Sequence, residues 1–109
     1  MQIAHDDDGN KGRFYITEDG KVLGQMTYKW RRKDEINIDH TEVGEQLKGQ
    51  GAATKLLAEA VQWARDKGVK IYPGCPFVKS AFEKHAGLYQ DVFAPSYKSN
   101  AASGDGAAK

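Results

Sequence analysis

Gly44-Glu45-Gln46-Leu47-Lys48-Gly49-Gln50-Gly51, running into Ala52-Ala53-Thr54-Lys55-Leu56-Leu57, is the stretch on which the reading of the fold turns. Behind the two glycines, Ala53, Leu56, Leu57, Ala60, Val61 and Ala64 recur at i, i+3, i+4 and i+7, the spacing of one helix face. Lys67 supplies a cation in the last turn, and Gly68 the left-handed residue that ends helices. The spacing therefore predicts a helix over 52–67 with one face on a sheet.

Ahead of the loop the period changes to two. Ile36, Ile38 and His40 alternate with Asn37, Asp39 and Thr41 up to Val43, which reads as a strand with His40 on the face of Ile36 and Ile38. From Val22 to Trp30 the even positions Val22, Met26, Tyr28 and Trp30 are mostly apolar and Gln25, Thr27 and Lys29 polar, a half-buried strand. Arg13 to Ile16 is a further strand, and Asp19-Gly20 is a hairpin-turning pair. Residues 1–12, with His5 among them, read as a flexible segment. On the other side of the helix, Val69 to Tyr72 is a short strand stopped by Pro73-Gly74. Phe77, Val78, Ala81, Phe82 and His85 then place a second helix over 76–85, with Pro76 at its tolerated first position. Ser99 to Lys109 is small, polar and Gly-rich, so a disordered tail is expected there. The sum is an α+β domain over 13–98, mostly antiparallel with one strand-helix-strand crossover.

At 109 residues the chain has room for one core. Sixteen Lys and Arg against fifteen Asp and Glu give a net charge of +1, which excludes a global field for nucleic acid or an anionic membrane. No run suits a membrane span, the first residues lack the apolar core of a signal peptide, and the single Cys75 cannot form an internal disulfide. A cytoplasmic address is expected.

A strand-to-helix loop with glycines at 49 and 51 exposes backbone N–H groups that have no helical partner. Those donors, together with the helix dipole and the cations Lys48 and Lys55, suit a phosphate. The alternative is that the glycines only shape a tight turn. The loop lacks the third glycine of a dinucleotide fingerprint and the Gly-Lys-Ser/Thr ending of a triphosphate loop.

Gln46-Leu47-Lys48-Gly49-Gln50-Gly51 resembles the Q/R-x-x-G-x-G/A signature of the GNAT acetyltransferase superfamily. A narrower similarity over about residues 13 to 93 is to its small single-domain members, carried by HTEV at 40–43, KGQGAATKLL at 48–57 and YPGCPFVKSAFEKH at 72–85. The resemblance implies a minimal GNAT fold and acetyl-coenzyme A as cosubstrate. The amides of Leu47, Lys48, Gly49, Gln50, Gly51 and Ala52 would hold the pyrophosphate, with Gln46 and Lys55 beside them. The strand end at Thr41, Glu42 and Val43 would pair with the pantetheine arm. Two departures stand out. Only Thr17 to Lys21 separates the first two predicted strands, where larger relatives insert acceptor-binding helices, and Phe82 occupies the place of a Tyr that acts as general acid.

Cys75 follows a strand and precedes the predicted helix at Pro76, where free N–H groups favour a thiolate. The competing reading is a buried, inert thiol. The resemblance implies an active-site Cys here, as acetyl relay or as proton donor to coenzyme A. His40 is a candidate base for an acceptor amine, or else a packed histidine. Lys29-Trp30-Arg31-Arg32-Lys33 reads as a solvated hairpin tip rather than a nucleic-acid patch, and no metal-ligand spacing is present. The function implied is N-acetyl transfer to an unidentified amine, a small amine or a protein Lys or N-terminus, by a monomer. The alternative is a module that binds coenzyme A with little turnover.

Overall fold

Asp19 and Gly20 both adopt positive φ, 53° and 78°, and this tight turn folds the strand Lys11–Glu18 (β2) back onto Lys21–Arg32 (β3). The computed structural model describes residues 2–95. The expected tail at 99–109 lies outside them. Glu35–Val43 (β4) pairs antiparallel with β3, and Lys70–Pro73 (β5) pairs parallel with β4. The crossover between β4 and β5 consists of a single 3-10 turn, Glu45–Leu47, and helix α1, Ala52–Lys67. Helix α2 spans Pro76–Lys84, and a one-turn α3 follows at Ala86–Tyr89.

The first residues depart from expectation. Ile3–Asp7 forms an edge strand, β1, antiparallel to β2, giving the sheet order β1-β2-β3-β4-β5. Residues 1–12 are therefore not a flexible segment as a whole. The Tyr28 hydroxyl donates to Asp7 Oδ2 at 2.5 Å and lies 2.6 Å from His5 Nε2, while Trp30 Nε1 donates to Asp7 at 2.9 Å. His5 stacks on Phe14 with ring centroids 4.1 Å apart and meets Trp63 of α1 edge-on. These contacts join distant parts of the chain, so no local period announces them.

The core lies between α1 and one sheet face. Leu56, Leu57, Ala60, Val61 and Ala64 are buried against Phe14, Met26, Tyr28, Ile36 and Ile38. Each large side chain removed from such a core costs about 2–5 kcal/mol. Arg65 on α1 ties down the segment after α3, donating to the Leu88 carbonyl at 2.6 Å and to the Asp91 carboxylate at 2.7 Å. Glu35 is buried at 2 % exposure and pairs with Arg31 at 3.1 Å and Arg32 at 3.4 Å. Both arginines are thus engaged within the hairpin.

Bulges break the period-two reading. Ile16 faces Gly24 and Thr17 faces Val22, so Leu23 is the extra residue; it is buried while Val22 is 44 % exposed, the reverse of the alternation. In β4, Ile38 pairs with Tyr28 and His40 with Thr27, leaving Asp39 extra. His40 consequently does not share the face of Ile36 and Ile38, and it is exposed.

The β1 network predicts a pH response. Partial burial lowers the His5 pKa below its usual 6.5, more than the nearby Asp7 and Asp6 raise it. Burial works to raise Asp7, but hydrogen bonds from Tyr28, the Gly9 amide and Trp30 outweigh it and hold the carboxyl below 3.8. The unfolded chain therefore binds protons more readily at both groups, and stability falls on acidification. The His5 part is present above 6.5 and is lost as pH falls below it; the Asp7 part is lost only below 3.8. Thermal unfolding of His5→Gln should depend less on pH between about 7 and 5 than that of the native chain. Tyr28→Phe should cost about 1–3 kcal/mol in urea unfolding, as expected for losing a hydrogen bond to a carboxylate.

Candidate functional site

Gly49 and Gly51 have φ of 81° and 69°, a left-handed region that side chains with a Cβ adopt only with strain, and Gly51 caps the N-terminus of α1. The N–H groups of Leu47, Lys48 and Gln50 are committed to the carbonyls of Gly44, Glu45 and Leu47. No hydrogen bond among the described residues uses the amides of Gly49, Gly51 or Ala52. Of the six amides expected to bind an anion, three are thus occupied by turns and three remain available. They border a concavity of about 400 Å³ that Val43, Leu47, Lys48 and Thr54 also line. The donors and the helix terminus fit a phosphate group. Gln46, Gln50 and Lys55 do not line it; the Gln50 side chain donates to the Gln46 carbonyl at 3.0 Å.

Cys75 is the N-cap of α2, with Pro76 in the first turn, as the sequence suggested, and is 3 % exposed. The Asp39 bulge governs what β4 presents to it. Thr41 pairs with the fully buried Met26, so its side chain lies on the helix-bearing face, with Oγ1 3.3 Å from Cys75 Sγ. Asn37 lies opposite Lys29, away from the core, and its amide rests on Gly74, where an added Cβ would overlap it. Asn37 Oδ1 is buried without a hydrogen-bond partner among the described residues. β4 therefore grips the Gly74-Cys75 turn from both faces. Neither the Asn37–Gly74 contact nor the Thr41–Cys75 bond was legible in the sequence, where Pro73-Gly74 marked only the end of a strand.

His40 and Cys75 are not brought together. His40 lies with Thr27 on the exposed sheet face, its Nε2 3.7 Å from Glu42 Oε2, and Glu42 in turn accepts from Gln25. The same face carries a concavity of about 580 Å³, edged by Asp6, Lys11, Arg13, Lys29 and Asp39. That hollow is larger than the one at Gly49–Ala52 but lacks a helix terminus. Its charges are partly matched internally, as Lys29 to Asp39 at 3.9 Å and Arg13 to Asp6 at 3.8 Å show. Phe82 is fully buried, stacked on Tyr89 with centroids 4.9 Å apart. Among the described residues no cluster of His, Cys, Asp and Glu could hold a metal, and no helix is long and apolar enough to cross a membrane.

The connection between β1 and β2 is only Asp8 to Asn10, so neither it nor the Asp19-Gly20 turn carries a helix. Among the described residues no helix covers the sheet's exposed face at β1 to β3.

Comparison with known proteins places this geometry. Residues 13–92 match the family described as GCN5-related N-acetyl-transferase. A protein of known solution structure from Staphylococcus aureus, described as GCN5-like, is 37% identical, with 93% of this chain and 95% of that one covered and a TM-score of 0.65. The ribosomal-protein-alanine N-acetyltransferase of Brucella melitensis shares the fold at 19% identity, covering 85% of this chain and 68% of that one, TM-score 0.57. Tetrahymena GCN5 does so at 16% identity, covering 71% and 51%, TM-score 0.55. No functionally curated protein matches the chain significantly. With the sheet order, a family match over most of its length and a 37% identical relative, the chain belongs to the GCN5-related N-acetyltransferase family.

Proposed function

We propose that the protein transfers an acetyl group from acetyl-coenzyme A to an amine, with Cys75 as the group that protonates the departing thiolate. One observation carries the reading: β4 joins the two strand-to-helix junctions. Val43 edges the hollow at Gly49–Ala52, and Thr41, two residues back, touches Cys75. In this reading the free amides of Gly49, Gly51 and Ala52 hold the pyrophosphate, and the backbone of Thr41 to Val43 runs beside the pantetheine arm. Lys48 lines the same hollow, 3.8 Å from Glu45, and supplies the cation nearest these amides in this reading.

The reaction balances without a cofactor beyond the cosubstrate. The amine nitrogen attacks the acetyl carbonyl carbon, the new C–N bond forms, and the C–S bond breaks. The amine proton passes to His40 on the exposed face, and the thiolate takes a proton from Cys75 on the helix-bearing face. Burial of Cys75 at 3 % exposure favours this role over an acetyl relay, because a relay requires the acceptor to reach the buried sulfur. The buried Phe82 offers no proton.

Calorimetric titration with acetyl-coenzyme A should show binding, and Gly51→Val should weaken it at least about tenfold by straining the left-handed cap and crowding the amides. Binding by the native chain that is absent at millimolar ligand would sink the reading. Cys75→Ser should lower acetyl transfer to an amine panel by about 10²-fold or more, the usual scale of a general acid. Native turnover too slow to detect, with binding intact, would instead indicate a coenzyme A-binding module. An acetyl adduct on Cys75 under rapid quench would replace proton donation by relay, and His40→Ala with unchanged turnover would remove His40 from the mechanism.

A further inference from the structure

Strict alternation along β4 would place Asn37, Asp39 and Thr41 on one face and His40 with Ile36 and Ile38 on the other. The extra residue at Asp39 reverses this beyond the bulge. His40 turns to the exposed face, and Thr41 takes the position behind Ile38 on the face where Cys75 lies. The bulge is held in place: the Thr27 hydroxyl donates to Asp39 Oδ1 at 2.7 Å, and Lys29 lies 3.9 Å from the same carboxylate. The Thr41 hydroxyl thus reaches Cys75 Sγ from a fixed strand, while Asn37 presses Gly74 from the other side.

We propose that Thr41 is a positioning residue for Cys75, its hydroxyl donating a hydrogen bond to Sγ that orients the sulfur and favours its thiolate. A hydroxyl is a better donor than a thiol, and an ionised sulfur has no proton to give, so in that state only Thr41 can be the donor. A hydrogen bond to the charged form favours that form. The inference rests on the reading of Cys75 as a reacting group: the thiolate left after proton donation is the species that Thr41 stabilises.

Cys75 is the only cysteine in the chain, so alkylation by iodoacetamide, followed by intact-mass spectrometry, reads this sulfur alone. The thiolate attacks the methylene carbon, an S–C bond forms, and iodide leaves. Thr41→Val keeps the side chain's shape and removes the donor, whereas Thr41→Ser keeps the donor. Near pH 7, Thr41→Val is expected to react about tenfold more slowly than the native chain, and Thr41→Ser within about twofold of it. The three rates should converge as pH is raised past about 9.5, where free thiols are ionised without assistance. A deficit of the same size at every pH would report altered access and overturn the proposal, as would a Thr41→Val rate equal to or above the native one near pH 7. Thr41→Ala, which leaves more room around the sulfur, should also be slower near pH 7, and supplies the same test if the valine variant does not fold. Retained acetyl transfer in Cys75→Ser would instead remove Cys75 from the reaction while leaving the alkylation result to stand for the Thr41 bond.

Discussion

One inserted residue in β4 sets the geometry of the site. Asp39 has no partner of its own on β3, and the strand beyond it presents the opposite faces to those its sequence pattern suggests. The bulge falls where β4 stops pairing with β5, since the parallel ladder ends at Ile38 and Pro73. There the two strands part and the turn into α2 begins. Thr41 and Val43 then line the helix-bearing side, while Asp39 and His40 face outward. Any chemistry at Cys75 is confined to the first side, and any acceptor guided by His40 comes from the second.

The second fixed point is the start of α1. A helix N-terminus presents free N–H groups wherever no side chain caps it, and Gly51 has no side chain to offer. The turns before it occupy half of the loop's amides, so those of Gly49, Gly51 and Ala52 are the donors left without a partner among the described residues. Burial of the α1 face against β2, β3 and β4 fixes those donors relative to β4. The cradle and the Cys75 turn are consequently parts of one rigid arrangement built on a single strand.

The chain covers its larger structural relatives only in part, 68% of one and 51% of another. No helix joins β1 to β2 or β2 to β3, and the polar side chains there pair mainly with one another. At the far edge β1 is attached through His5, Asp7, Tyr28 and Trp30, a small polar network set against aromatic rings. Burial, and after it the hydrogen bond to Asp7, raises the pKa of Tyr28 well above the usual phenol range, while the pKa of Asp7 is lowered because its hydrogen bonds outweigh the effect of burial. The edge strand is thereby coupled to α1 through Trp63.

Local patterns decided much of this by themselves. The helix over 52–67 followed from apolar spacing and the flanking glycines, the β2–β3 turn from Asp19-Gly20, and the junction at Cys75 from Pro73-Gly74 and Pro76, because each depends on residues within a few positions of one another. The position of the loop before α1 was also legible, since glycines before a helix are a local signal. What the sequence alone did not decide was which way side chains point after a bulge. Alternation counts residues, and a bulge is seen only when two strands are laid side by side. For that reason Val22 and Leu23 exchanged places, His40 left the face of Ile36, and Thr41 came to the Cys75 turn. The β1 strand escaped notice for a related reason: its hold comes from Tyr28, Trp30 and Trp63, residues more than twenty positions away, which only the tertiary fold brings to His5 and Asp7.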